Sequence, residues 1–400
     1  MLIQIIIALF LGLTAGTITG LIPGIHINLV GAFLVSFTTT SLFFIQPLYL
    51  VIFITSMAIT HTFIDFIPSI LLGSPDTDTE LSVLPGHKML FEGKGYEAIL
   101  LTCYGSLASI FLLLIIIFPS LFIISKTYDT IQRIIPFLLI LIIGSLILME
   151  KRKINALIVV FLTGTLGFFV LNTEILKQPL LPLLTGLFGS SMLLISINNK
   201  LKIPEQKITK PEKPLKPRPI IGSLIASPLC CFLPGLGAGQ AAIIGNTITK
   251  IPQKDKKSFL ILLGATNTLV MAFSFITLYA ISKTRTGATV AIKDIIGMME
   301  IKILFLILIT IMVSGILAFF ITKKLSFLFS KNLNKINYTK LSITTLVLLT
   351  IIILSVSKIL GLFVFIISTI TGIYCISLKV RRTNMMGCLI IPTIIFYLFL

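Results

Sequence analysis

"GLIPGIHINLVG", Gly20 to Gly31, lies within the first 64 residues, a run without one Asp, Glu, Lys or Arg. Proline breaks the helical ladder and glycine loosens it. In lipid, the backbone groups so freed need protein or water partners. A Pro-Gly pair followed by His26 and Asn28 in so apolar a segment therefore reads as a break that lines a cavity.

The surrounding composition sets the class. Of 400 residues, 56% are hydrophobic and 12% charged, about half the charge of an ordinary soluble domain. Uncharged apolar runs of spanning length recur from end to end, so the chain reads as an all-α polytopic membrane protein. The net charge of +18 sits in short loops between spans, as topology determinants and anionic-lipid contacts do; nucleic acid is not an expected partner. Met1 to Gly20 lacks a basic leader and is not expected to be a cleaved signal peptide. The five cysteines have no metal spacing and read as small packing residues. No metal site or cofactor is expected, nor a nucleophile–base pair or nucleotide loop, so the chain is not expected to be an enzyme.

The apolar runs after the first segment are 43–60, 97–124, 133–149, 154–171 and 179–197, then 259–282, 300–322, 341–357, 359–378 and 385–400. The Lys- and Pro-rich stretch 198–219 divides residues 1–197 from 220–400 and is expected to be a cytoplasmic linker. Residues 220–248 have basic loops at both ends and are too few for two full crossings. They should form a re-entrant hairpin turning at "PGLGAG" (Pro234 to Gly239). An offset of 211 superposes Pro234 on Pro23 and places Ser223, Ser227 and Cys231 on Gly12, Gly16 and Gly20, a small residue every fourth position in both halves. By parity of spans the first hairpin opens outward and the second inward. The expected plan is thus two inverted repeats, each a re-entrant hairpin plus about five spans, as in many secondary transporters.

"THT" (Thr60, His61, Thr62) aligns with "TNT" (Thr266, Asn267, Thr268) at an offset of 206, and "DTDT" from Asp76 with "KTRT" from Lys283 at 207. Hydroxyl, imidazole and amide groups at membrane depth can ligate an anion or a cation, although a helical Thr also bonds back to its own helix. The substrate-binding candidates are Pro23, Gly24, His26 and Asn28 at the first tip and Pro234, Gly235, Gly237, Gly239 and Gln240 at the second. To these are added Thr60–Thr62, Thr266–Thr268 and Arg285, whose planar fork suits a carboxylate. Asp65 and Asp76 are the candidates for a coupling cation, Na⁺ or H⁺.

The strings "GLIPGIH", "FLPGLGAGQAA" and Ser69–Ile99 resemble the signatures of the tripartite tricarboxylate transporter family, permease of the TctA type, in an archaeal-like single-chain form. The resemblance implies a multi-pass plasma-membrane carrier of small carboxylate anions, driven by a cation gradient and served by a small membrane subunit and an extracytoplasmic binding protein. Ile25, His26 and Asn28 depart from the Gly and small residues usual after the first signature. More loosely, the plan is similar to the dimeric elevator carriers of the ion transporter superfamily, in which paired Ser/Thr-Asn-Thr tips bind substrate; a homodimer fits that plan. Two rival readings are a carrier of phosphorylated lipid or another amphiphilic anion, and a membrane scaffold.

Overall fold

The computed structural model describes residues 2–22, 46–73, 79–176, 178–198, 204–212, 214–231, 237–252, 254–332 and 338–399. The helices are α1 (Leu2–Leu21), α2 (Pro47–Ile64), α3 (Phe66–Leu71), α4 (Val83–Phe91), α5 (Gly95–Leu148) and α6 (Lys153–Leu171). Then come α7 (Leu180–Leu184), a π-helical stretch Thr185–Ser190, and α8 (Ser191–Asn198). The second half holds α9 (Pro217–Cys231), α10 (Ala238–Thr249), α11 (Lys256–Ile281), α12 (Gly287–Ile296), α13 (Ile301–Asn332), α14 (Tyr338–Ser377) and α15 (Gly387–Phe399). No strand occurs among the described residues. Among the described residues, eight helices are long and apolar enough to cross a bilayer, and two shorter apolar ones, Pro136–Leu148 and Leu180–Ile195, accompany them.

These helices cover all ten expected runs, but two pairs of runs are joined. Runs 97–124 and 133–149 share the 54-residue α5, because the polar stretch between them contains neither Gly nor Pro to end a helix. Runs 341–357 and 359–378 share α14, whose backbone breaks at Lys358 (φ 56, ψ −158).

Direction follows from packing. A Cβ on Gly12, Gly16 or Gly20 would stand 2.7 Å from Ser56 Cβ, 2.8 Å from Thr60 Cβ and 2.8 Å from Ile64 Cβ. The constant step of four on both helices means that α1 and α2 run in the same direction, with backbones in contact. Leu21 and Pro47 therefore lie at opposite ends of this pair, joined by residues 22–46. The first expected hairpin turn, with Pro23, Gly24, His26 and Asn28, lies outside the described residues, as does Asp76.

The same arrangement recurs in the second half. Lys216, just before α9, donates to Ser258 Oγ at 2.9 Å near the start of α11. At its other end Cys231 Sγ donates to Val270 O at 3.1 Å, so α9 and α11 also run in parallel. α9 packs on α10 with Gly222 against Gly245: a Cβ on Gly222 would lie 2.8 Å from Gly245 O. Only residues 232–237 join the two, so they form an antiparallel pair. Their 15 and 12 residues give lengths of about 22 and 18 Å, short of a hydrocarbon core of about 30 Å.

α5 begins beside the end of α3, where a Cβ on Gly95 would lie 3.3 Å from Leu71 Cδ2. From there it runs back alongside α11: Glu97 pairs with Lys257, Ser106 donates to Gly264 O at 2.9 Å, and Gly105 abuts Ile261. Hence α11 runs opposite to α2. The linker packs across the start of α5. Gln206 accepts from Gly95 N at 2.9 Å and donates to Leu90 O at 3.0 Å, while Lys207 N donates to Gly93 O at 2.7 Å.

His87 on α4 is buried beneath Gly73, whose Cβ would stand 2.6 Å from its Cε1. Neither ring nitrogen has a hydrogen-bond partner among the described residues. Burial, then the charge of Arg382, hold its pKa down to about 3. The folded protein keeps this ring neutral while the unfolded chain protonates it below about pH 6.5. Its contribution is complete above that pH and is lost as pH falls toward 3, at up to ~1.4 kcal/mol per pH unit.

Three outcomes follow from this packing. Gly16→Leu should lower the thermal midpoint in detergent, by the equivalent of about 1–3 kcal/mol for overpacking. Gly144→Leu, whose added Cβ meets nothing within 4 Å, should leave the midpoint unchanged. His87→Gln should flatten the decline of unfolding stability between pH 6.5 and 4.5, followed by denaturant titration at each pH.

Candidate functional site

α2 and α11 are the most enclosed spans, with 94% of the apolar window buried in each. Lipid reaches little of either, which lets them carry polar side chains at depth. Thr55, Ser56, Thr60, His61, Thr62 and Asp65 are buried on the first and Thr266, Asn267, Thr268, Ser274 and Thr277 on the second.

The two paired motifs meet. Thr62 Oγ1 and Thr268 Oγ1 lie 3.1 Å apart, residues that the offset of 206 makes equivalent. Asn267 Nδ2 donates to Asp65 Oδ2 at 2.8 Å and to Thr62 O at 3.3 Å. Asp65 sits at the join of α2 and α3, where Pro68, lacking an N–H, leaves Ile64 O without its helical donor. Around this centre, Thr60 bonds back to Ser56 O at 2.8 Å and Thr266 to Leu262 O at 2.8 Å. His61 Nδ1 lies 3.1 Å from Thr19 Oγ1 on α1.

A second group forms at the facing ends of α9 and α10. Arg285, half-buried before α12, donates from Nη1 to Cys231 Sγ at 3.4 Å, at the residue where α9 stops. Its backbone N donates to Thr289 Oγ1 at 3.1 Å, part of the cap that starts α12. Across the turn, Gln240 Oε1 accepts from Gly237 N at 2.7 Å and so caps α10. Gln240 is 1% exposed and its Nε2 has no partner among the described residues. A buried amide donor left open in this way suits an acceptor that arrives from outside the chain.

Of the expected site residues, Thr62, Thr268, Asn267 and Asp65 are brought into contact, with His61, Thr60 and Thr266 flanking them. Gly237, Gly239, Gln240 and Arg285 gather where α9 ends and α10 begins, while Pro234 and Gly235 lie outside the described residues. Lys283 is exposed. Sequence reasoning missed Thr19, whose hydroxyl faces His61, and treated Cys231 as packing alone. The small-residue stripe Gly12–Gly20 marked the face beside Thr19 but not its hydrogen bond. No group of three or more His, Cys, Asp or Glu able to hold a metal ion occurs among the described residues.

The model of the tripartite tricarboxylate transporter TctA family matches residues 6–387. The chain belongs to this family. It is similar to an uncharacterized protein of Methanocaldococcus jannaschii, 32% identical over 404 residues that cover 98% of each chain. No solved structure matches it. As a TctA-family chain it is a multi-pass membrane protein and a permease component of a tripartite transport system.

The Asp65–Asn267 hydrogen bond links α2 to α11 at their buried polar faces. Asn267→Ala should destabilise by about 1–3 kcal/mol, since it strips a donor from a buried acid. Asp65→Leu combined with Asn267→Leu should cost less than the two single changes together. A double-mutant cycle on chemical unfolding measures the difference.

Proposed function

We propose that this protein is a secondary transporter that carries a small carboxylate anion across the plasma membrane, coupled to a cation gradient. The observation that carries the reading is the meeting of Thr60–Thr62 with Thr266–Thr268 on the two most enclosed spans, through Thr62, Thr268, Asn267 and Asp65.

The halves are inverted repeats. The contact of Gly20 with Ile64 becomes that of Cys231 with Val270 when the first residue is shifted by 211 and the second by 206. α1 runs with α2, α9 runs with α11, and α11 runs opposite to α2. The short pair α9–α10 is a re-entrant hairpin. The anion lies between the second turn and the Thr62–Thr268 contact. Arg285 and the open Nε2 of Gln240 supply donors there, along with the amides at the start of α10. Asp65 serves the coupling cation. The positive end of α10 and the guanidinium favour a carboxylate over a neutral solute.

Purified protein in liposomes should take up labelled citrate or succinate when a Na⁺ or proton gradient is imposed. Arg285→Gln should reduce uptake at least tenfold without lowering the thermal midpoint, and Gln240→Leu should reduce it as far while also costing about 1 kcal/mol for the lost cap on α10. Asp65→Asn should abolish the response to the gradient. Uptake of all three variants at the unmodified rate would overturn the reading.

A further inference from the structure

A cavity of about 240 Å³, apolar over most of its wall but with a cluster of cations, opens where the basic ends of the helices converge. Its walls come from α4, the end of α5, α10, the start of α11 and the segment before α15, and include Lys88, Asn246, Lys256, Arg381, Arg382 and Thr383. It is distinct from the Thr62–Thr268 centre. Along α11, Lys256 and Phe259 precede Thr268 by 12 and 9 residues, or about 18 and 14 Å.

Two of the four cations are already compensated. Arg381 donates from Nε to Glu150 Oε1 at 2.5 Å, and Lys256 pairs with Glu92 at 2.5 Å. Arg382 and Lys88 pair with no carboxylate among the described residues. Arg382 is only 9% exposed, and its Nη1 is buried without a hydrogen-bond partner among the described residues. Thr383 Oγ1 beside it is likewise buried and unpartnered.

A guanidinium held out of water with an unmet N–H is costly unless an anion meets it. Asn246 adds an amide and Lys88 a mobile ammonium at the mouth. Both oxygens of one oxyanion edge can take the planar fork of Arg382, and a further oxygen can take the hydroxyl of Thr383. The volume is several times the share of one water, about 30 Å³, which leaves room for a group esterified to the oxyanion.

The geometry points to a phosphate-binding site built on Arg382, Thr383 and Lys88, occupied by a phospholipid headgroup or by a soluble phosphate compound. The site stands apart from the transport reading, and failure of anion uptake leaves it untouched.

Thermal midpoints of the full-length protein test it with two probes. Inorganic phosphate is titrated at constant ionic strength in detergent. Nanodiscs of phosphatidylcholine are compared with discs that also contain phosphatidylglycerol. Stabilisation by free phosphate identifies a soluble ligand, and stabilisation only in the anionic discs identifies a lipid headgroup. In either arm Arg382→Gln should weaken the response at least tenfold, and Lys88→Gln and Thr383→Ala about threefold each. The latter two changes lie at less buried positions and serve if Arg382→Gln fails to fold. No stabilisation by either probe, or equal stabilisation of wild type and variants, overturns the assignment.

Discussion

A carboxyl group set among apolar helices has to be met by a donor, and Asn267 meets Asp65. An unmet carboxylate at that depth costs several kcal/mol. The hydrogen bond crosses from α11 to α2 and thereby joins the two halves of the molecule at one point. Thr62 and Thr268 close the same contact from the side. Once this junction is fixed, α2 and α11 must lie at the centre, and the helices packed around them keep lipid away from their polar faces.

Close approach of backbones does the rest. Hydrophobic burial gives little association between helices already in lipid, so packing of small residues carries it. Gly12, Gly16 and Gly20 let α1 lie on α2, Gly222 and Gly245 let α9 lie on α10, and Gly105 and Gly264 bring α5 onto α11. Each of these pairs puts a glycine against a main-chain carbonyl of the neighbouring helix, a fit that no larger side chain permits.

Much of this was legible in the residues. The ten apolar runs reappear as helices because hydropathy and length alone decide whether a segment can cross a bilayer. The offset of 206 singled out Thr62 and Thr268, whose hydroxyls meet. The join between runs in α5 was not legible, because a polar stretch without Gly or Pro signals a loop by composition yet gives the backbone no cause to unwind. Three features arise from contacts between segments far apart in sequence, where periodicity has nothing to register. These are the hydroxyl of Thr19 facing His61, the open amide of Gln240, and the gathering of Arg382 with Lys88.

The stretch between the halves has a mechanical consequence. Gln206 and Lys207 are tied to the start of α5, and Thr209 lies 3.5 Å from Glu97. At the far end Lys216 grips Asp255 at 2.8 Å. Only six residues lie between Thr209 and Lys216, so this leash pays out no more than about 25 Å. Both anchors stand at neighbouring helix starts, since Glu97 pairs with Lys257, so the leash ties α5 to α11 and travels with that pair.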